Sequence, residues 1–241
     1  MSDVMEQFEI KEIFPLKISG HDIGFTNSSL CMVLAAVSVI TIFALCLRKR
    51  QLIPTVAQCV PESLYEFIYN MIADNIGKAG LKYFPFIFTL FLFVVTGNLL
   101  GLFPYSFTFT SHLAAVGTLS LLALAVNIFI GIKNRKWEYL RTFFPKGVPW
   151  VMAPLIVPIE IISLLSKPFS LTIRLVANMT VGHIMLKSIA GFVVALGLLG
   201  GEIPLVFAGL IIAFEIFIGI LQAYIYTILS CIYLGDALHS H

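Results

Sequence analysis

Long apolar stretches alternate with short charged stretches along most of the chain. Residues 23–47 contain no charged side chain and end at a basic cluster, and residues 83–132 contain no Asp, Glu, Lys or Arg. The polar, turn-forming stretch 104–112 (PYSFTFTSH) divides the second of these. About 20 consecutive apolar residues are enough for a helix to cross the hydrocarbon core of a bilayer. The pattern therefore predicts three membrane helices, at 23–47, 84–103 and 113–132.

Two further apolar stretches follow toward the C-terminus. The first, 149–196, is much longer than a perpendicular membrane helix needs at about 1.5 Å per residue. It therefore either lies strongly tilted or breaks at one of its prolines, Pro154, Pro158 or Pro168. The glycine-rich stretch 197–204 (GLLGGEIP) predicts a turn. The stretch 205–234 then predicts a last membrane helix that returns antiparallel to the one before it.

Two segments of the N-terminal third are too polar to cross a bilayer. Residues 1–22 are rich in acidic side chains and predict a water-exposed tail. Residues 62–78 (ESLYEFIYNMIADNIGK) are charged, but their apolar side chains recur at helical spacing along one stripe: Leu64, Phe67, Ile68, Met71 and Ile72. This pattern predicts an amphipathic helix that lies along the membrane surface.

Composition agrees with these elements. Hydrophobic residues make up 59% of the 241-residue chain, charged residues only 12%, and mean hydropathy is +0.98. These values exclude an ordinary soluble protein. They predict one all-α polytopic membrane domain over 1–241. It has about five membrane helices, of which the last two form a long tilted antiparallel hairpin, and one interfacial amphipathic helix.

Charge and cysteine content exclude several other classes. A net charge of +2 gives no basis for binding nucleic acid. The four cysteines are scattered and lie mostly in or near apolar stretches, so we expect reduced packing residues rather than a disulfide or a metal site. The sequence predicts no cofactor. It has no GxxxxGK[ST] loop, so we expect no catalytic site for ATP in this chain.

Basic residues predict the orientation of the helices. One cluster, 48–50, follows the first membrane helix, and a second, 133–146, follows the third. Cytoplasmic loops carry the excess of Lys and Arg in membrane proteins. Both clusters place the N-terminus outside and the C-terminus in the cytoplasm. The polar start of the chain does not resemble a cleavable signal peptide.

Charged side chains inside the stretch 149–196 are the strongest functional signal. The titratable and charged residues there are Glu160, Lys167, Arg174, His183 and Lys187. A charge at the centre of a membrane helix costs roughly 2.5–3.5 kcal/mol on insertion scales, and such residues mark ion or proton pathways. Arg174 is the clearest case, because its guanidinium cannot readily lose its proton.

Distance from the turn near Gly200 predicts which side chains lie at the same depth. Arg174 and Gln222 are at similar distances on either side of it, and so are His183 and Glu215. We therefore expect a titratable acid and base to lie level with each other, nearer the outer side than Arg174.

Helical spacing predicts which side chains share a face. Ser170 and Asn178 lie one turn either side of Arg174, and Glu160 falls near the same stripe, whereas His183 is about 180° away. On the last helix, Glu215, Gln222 and Tyr226 share a stripe. This arrangement suits an aqueous half-path from outside to His183 and Glu215, with Arg174 as a barrier at its inner end.

Structural explanations compete for several of these residues. Lys167 and Lys187 can extend toward an interface, Asn178 and Gln222 can hydrogen-bond between helices, and Glu160 can lie in the headgroup region. Two other function classes also stay open: a self-contained secondary transporter in which Arg174 binds an anionic substrate, and an assembly scaffold in which polar groups only hold helices together.

Two segments resemble a known family. Residues 166–183 (SKPFSLTIRLVANMTVGH) and 214–238 (FEIFIGILQAYIYTILSCIYLGDAL) closely resemble subunit a of F-type ATP synthases. The resemblance extends to the tail, to the basic end of the first helix and to PESLYEF at 61–67. The combination of IRL..N with E......QAY is highly specific to that family.

The resemblance implies a stator against which a ring of c subunits turns, within a synthase that also has b-type peripheral stalk subunits. The arginine matching Arg174 faces the carboxylate of the ring, with Asn178 and Gln222 as its polar neighbours. His183 and Glu215 match the titratable positions of the outer half-channel, in the order found in mitochondrial members. Glu160 and Ser170 match positions that line the inner access path, and Tyr226 is a further access-path residue. The expected location is a bacterial inner membrane rather than a mitochondrial one.

Overall fold

A computed structural model of the chain describes residues 12–14, 17–18, 21–22, 25–48, 55–102, 109–135 and 152–238. Most of the predicted tail, the basic residues of the second cluster beyond 135 and the last three residues lie outside the described residues. The predictions made for them stay predictions.

Six α-helices account for nearly all of the described residues. They are α1 (Asn27–Cys46), α2 (Val56–Ile76), α3 (Phe84–Gly101), α4 (Leu113–Arg135), α5 (Ala153–Gly200) and α6 (Glu202–Leu238). Short 3-10 helices precede α3 at Lys78–Tyr83 and α4 at Phe109–Ser111. All α-helices except α2 are long and apolar enough to cross a membrane. The predicted all-α fold class with five membrane helices and one amphipathic helix is confirmed.

Four short strands precede α1, three in the predicted exposed tail and one inside the predicted helix 23–47, which therefore begins only at Asn27. They are β1 (Glu12–Phe14), β2 (Lys17–Ile18), β3 (His21–Asp22) and β4 (Phe25–Thr26). β1 pairs antiparallel with β4, and β2 pairs antiparallel with β3. Strands this short carry no recognisable alternation of apolar and polar residues, so the hydrophobic pattern did not predict them.

The amphipathic helix α2 begins at Val56, before the predicted start at residue 62. Its first residues are uncharged and Pro61 lies inside the helix, which is why the charged pattern alone placed the start too late. The predicted apolar stripe is confirmed in part, because Ile68, Met71 and Ile72 are buried, whereas Leu64 is partly buried and Phe67 is exposed. The helix ends at Ile76 and is capped by Gly77, which has a positive φ of 77°.

The long stretch before the turn forms one helix. α5 continues through Pro158 and Pro168 and stays helical as far as Leu196, where Gly197 interrupts it, so the alternative of a break at a proline is wrong. Membrane helices tolerate proline where neighbouring groups satisfy the freed backbone carbonyls. The stretch Pro154–Gly197 has 44 residues, so the helix is roughly 65 Å long, about twice the roughly 30 Å of a hydrocarbon core. Strong tilt is the alternative that is consistent with a continuous helix.

The turn between α5 and α6 is tighter than predicted. Its non-helical residue is Gly197, with φ 63° and ψ −161°, and Gly201 donates its backbone N–H to the carbonyl of Gly197 at 2.9 Å. A Cβ at position 201 would lie 2.7 Å from that same carbonyl oxygen. Because Gly197 leaves the helical conformation, the regular part of α5 ends at Leu196 as predicted, whereas α6 begins at Glu202, before the predicted start at 205.

Contacts between the helices divide the chain into two compact units. The first unit comprises 1–42, 92–116 and 173–223, and the second comprises 43–91, 117–172 and 224–241. The first unit buries Val94, Asn98 and Leu175, and the second buries Ile68, Ile72 and Leu234. Each unit is therefore built from segments of several membrane helices.

Candidate functional site

Within the first unit, α5 and α6 pack closely where Glu215 lies against Gly182. A Cβ at position 182 would overlap the carboxyl group of Glu215, so the contact requires glycine. Gly182 directly precedes His183 in the chain. Glu215 therefore lies at the depth of His183, as distance from the turn predicts.

A cavity of about 190 Å³ lies between α5 and α6 beside this contact. Its polar lining residues are Asn178, Glu215 and Gln222, and glycines at 182 and 219 line it as well. A water molecule occupies about 30 Å³ in the liquid, so the cavity has room for several. The structure thus brings three of the sequence-predicted site residues together around one space.

The two longest of these polar side chains are buried. Glu215 is 7% exposed and Gln222 is 3% exposed. Within the described part of the chain, neither carboxyl oxygen of Glu215 has a hydrogen-bond partner, and nor does the Oε1 atom of Gln222. A buried charge without a partner is costly.

His183 is 7% exposed, and its side chain contacts α3 rather than Glu215. Its imidazole is hydrogen-bonded to the backbone of Gly101 on α3, and Lys187 lies close enough to interact with it electrostatically. Because both oxygens of Glu215 lack partners, His183 and Glu215 are not joined by a direct hydrogen bond. His183 and Glu215 lie at the same depth, but a proton can pass between them only through an intermediary.

Arg174 is exposed on the surface of α5. Among the residues that the structure describes, no carboxylate forms an ion pair with it. The burial of His183 and the exposure of Arg174 agree with the half turn predicted between them. An unneutralised cation on an apolar helix leaves a place for a negative partner that this part of the chain does not supply.

The three residues expected to line an access path, Glu160, Ser170 and Tyr226, belong to the second unit and lie in different environments. Tyr226 is buried, and its hydroxyl has no hydrogen-bond partner in the described ranges. It lines a cavity of about 20 Å³ with Ser120 and Asn127, among others. Ser170 is exposed and Glu160 is partly exposed. The structure does not bring Tyr226 together with the other two.

Two other polar contacts lie in the second unit. The Oγ atom of Ser120 on α4 is 2.7 Å from the Oγ1 atom of Thr172 on α5. The Nζ atom of Lys167 lies 5.2 Å from the ring centroid of Tyr233. Lys167 therefore has a cation–π partner.

The sequence analysis missed two residues that shape the site. One is Gly182, which admits the carboxyl group of Glu215 to the surface of α5. The other is Asn98 on α3, whose Nδ2 atom donates to the backbone carbonyl of Gly219 at 3.0 Å. A signal for Asn98 is present in the sequence, because it is the only amide side chain in the apolar helix Phe84–Gly101.

Comparisons with known proteins give the same assignment over the whole chain. The family model for ATP synthase A chain matches residues 29–235. The chain belongs to the ATP synthase A chain family. The matched residues include every residue of the site on α5 and α6. With five apolar helices, this member of the ATP synthase A chain family is a multi-pass membrane protein.

Full-length relatives support the family assignment. The chain is 52% identical over 246 residues to ATP synthase subunit a of Rhodospirillum rubrum, and the alignment covers 100% of both chains. It is 48% identical over 247 residues to ATP synthase subunit a of Paramagnetospirillum magneticum, again with 100% of each chain covered. ATP synthase subunit a of Mesorhizobium japonicum is 45% identical, with 98% of this chain and 96% of the relative covered.

Proposed function

We propose that this chain is the proton-translocating stator subunit of a rotary ATP synthase. One observation carries the proposal: a member of the ATP synthase A chain family exposes Arg174 on a membrane helix without an acidic partner in its described residues. The proposed partner is a carboxylate on a ring of c subunits. The other proposed partners are b-type peripheral stalk subunits and the remainder of the synthase.

The surface around Arg174 supports a protein partner. Large apolar side chains on the same helix are exposed near it, including Phe169, Ile173 and Val181. Lipid tails can cover apolar side chains, but they cannot neutralise a guanidinium, and an isolated charge at that depth costs roughly 2.5–3.5 kcal/mol. A helical surface that offers a carboxylate satisfies both the apolar side chains and the cation.

The cavity between α5 and α6 supports an outer half-channel. In this proposal, water in the cavity carries protons to Glu215, and Asn178 and Gln222 hold that water at the level nearer Arg174. His183 exchanges protons with Glu215 through water, since the two side chains are not directly bonded. The inner half-channel uses Glu160 and Ser170, and Tyr226 is a further access-path residue.

The energetics of charge in a bilayer couple proton flow to rotation. A carboxylate is costly in hydrocarbon, whereas a protonated carboxyl group is much less so. Ring sites therefore pass through lipid only when protonated, and each deprotonated site pairs with Arg174. A transmembrane potential supplies roughly 2.3 kcal/mol per charge per 100 mV. ATP is made on other subunits.

The proposed orientation has the N-terminus outside and the C-terminus in the cytoplasm. It rests on the basic clusters after the first and third membrane helices. The proposed location is the inner membrane of a bacterium, since the relatives described above are bacterial proteins.

The proposal is tested by replacing Arg174 in the complete synthase. Arg174→Ala and Arg174→Lys are each expected to abolish proton-driven ATP synthesis in membrane vesicles while the complex still assembles. Lysine fails because its single ammonium group cannot reproduce the planar, forked donor geometry of a guanidinium. A matched control is Arg48→Ala at the end of α1, which should leave synthesis unchanged.

Two results would contradict the proposal. Normal synthesis by either Arg174 variant would leave an assembly scaffold as the better explanation. Transport of an anionic substrate by the purified chain alone in liposomes would instead identify a secondary transporter.

A further inference from the structure

Beside the cavity, α3 packs against the hairpin of α5 and α6 and contacts α6 through Asn98. This side chain is 0% exposed, and its Nδ2 atom donates to the backbone carbonyl of Gly219 at 3.0 Å. Gly219 lies four residues after Glu215 and three before Gln222. Asn98 therefore contacts α6 within one turn of both buried polar side chains.

The close approach depends on the absence of a side chain at position 219. A Cβ there would lie 3.3 Å from the Cβ atom of Asn98, which is tighter than ordinary packing. Gly219 also lines the cavity that contains Glu215 and Gln222. The backbone that Asn98 holds is thus itself part of the cavity wall.

A second contact from α3 lies one turn further along. The backbone of Gly101 is hydrogen-bonded to the imidazole of His183 on α5. One turn of α3 therefore contacts both helices of the hairpin, α6 through Asn98 and α5 through Gly101. These contacts link the two segments that carry Glu215 and His183.

Stability alone does not explain the asparagine. The carbonyl of Gly219 lies inside a continuous helix, where a backbone N–H is its usual partner. In the described part of the chain, the Oδ1 atom of Asn98 is buried without a hydrogen-bond partner. An apolar side chain of the same shape would avoid that desolvation cost. The contact thus orients the backbone at the expense of an unpaired acceptor.

We propose that Asn98 is a positioning residue for proton transfer, which holds the α6 backbone so that Glu215 and Gln222 point into the cavity. This inference rests on the proposed function of the chain. Asn98 does not line the cavity, so its effect is exerted through Gly219 rather than by contact with the transferred proton.

The test measures passive proton conduction through the membrane sector of the assembled synthase, in vesicles freed of the catalytic subunits. Conduction is divided by the amount of assembled complex. Asn98→Leu keeps the shape and removes both polar atoms, and we expect about tenfold lower conduction per complex, the change produced by about 1.4 kcal/mol. Asn134→Leu is the matched control, since Asn134 on α4 also donates a hydrogen bond between elements, to the hydroxyl of Tyr83. Its conduction should equal that of the unmodified protein.

A second variant gives a readout that a merely structural role would not change. In Asn98→Asp, the protonated acid can donate to the carbonyl of Gly219, whereas the ionised acid can only accept and is repelled by it. Conduction should therefore be near normal at acidic pH and fall as the pH rises. The nearby groups Glu215 on α6 and His183 and Lys187 on α5 titrate in every variant, so only the added pH dependence counts.

Three results would overturn the inference. They are normal conduction per complex by Asn98→Leu, a pH profile of Asn98→Asp equal to that of the unmodified protein, and an equal loss in Asn134→Leu. If Asn98→Leu does not assemble, the pH profile of Asn98→Asp still decides. Arg174→Ala, measured in parallel, separates the two proposals: it abolishes synthesis if the proposed function is right, whatever the Asn98 variants do.

Discussion

A glycine and a carboxylic acid meet at the closest contact between α5 and α6. Gly182 provides the space that the carboxyl group of Glu215 occupies, and the cavity of about 190 Å³ begins beside them. Only a residue without a side chain allows the acid to lie against the helix backbone. The position of the acid therefore depends as much on the glycine as on the glutamate.

Gly182→Ala should impair proton conduction by assembled complexes at least about tenfold, because the added methyl group displaces the carboxyl group of Glu215. Gly191→Ala is the matched control, since a Cβ at position 191 meets no atom within 4 Å. Alanine is favoured over glycine inside a helix by about 1 kcal/mol, so the control should be at least as stable as the unmodified protein. Equal conduction by the two variants would show that the contact with Gly182 is unimportant.

Charged residues in apolar stretches were predictable, and their small neighbours were not. Arg174, His183 and Glu215 stand out because charge and titratable groups are costly in a membrane helix. Gly182 and Asn98 are of types that occur in membrane helices for many reasons. Their importance arises from the atoms opposite them, which the sequence does not specify.

The turn between α5 and α6 depends on an unusual backbone conformation. Gly197 has φ 63° and ψ −161°, a region that is essentially restricted to glycine. The carbonyl of Gly197 then accepts a hydrogen bond from Gly201. Because this turn sets where α5 ends and α6 begins, it also sets which residues of the two helices lie opposite each other.

Gly197→Ala should destabilise the hairpin by about 1–3 kcal/mol, the usual cost of a side chain in such a region. The measurement is the temperature at which the purified membrane sector loses its native fold, compared with the unmodified protein. The same substitution at Gly191 is again the control, because that residue has no positive φ. A Gly197→Ala variant as stable as this control would mean that the turn adapts without strain.

Helix ends were predictable only where charged or turn-forming residues flank an apolar stretch. The start of α3 at Phe84 and of α4 at Leu113 were predicted to the residue, because charges and turn-forming residues flank apolar stretches there. The continuity of α5 through Pro158 and Pro168 was left open, since the cost of proline in a helix depends on which neighbours satisfy the freed carbonyls.

The whole molecule exposes many large apolar side chains. On α1 these include Val33, Val37, Ile40 and Leu45, each at least half exposed. Contiguous apolar surface of this kind is incompatible with water and is typical of helices in lipid or against partner subunits. The surface as a whole therefore requires a bilayer.

The proposed orientation predicts the accessibility of the two ends of the chain. In a background without the four native cysteines, a membrane-impermeant thiol reagent should label Asp3→Cys only from outside intact cells. It should label Asp236→Cys, near the end of α6, only in inside-out vesicles. Labelling of both positions from the same side would contradict an odd number of membrane crossings, and the reverse pattern would contradict the orientation.

Apolar length, charge and turn propensity are local properties of the sequence. They were enough to predict five membrane helices and one surface helix, and to show that Arg174 carries a charge that is costly in a bilayer. Distance from one turn even gave the relative depth of His183 and Glu215. Tertiary structure alone decided that Glu215 packs on Gly182, that His183 bonds to Gly101 rather than to the acid, and that Asn98 holds Gly219. Such contacts depend on how each helix is rotated about its axis and on atoms far apart in the chain, which no local pattern records.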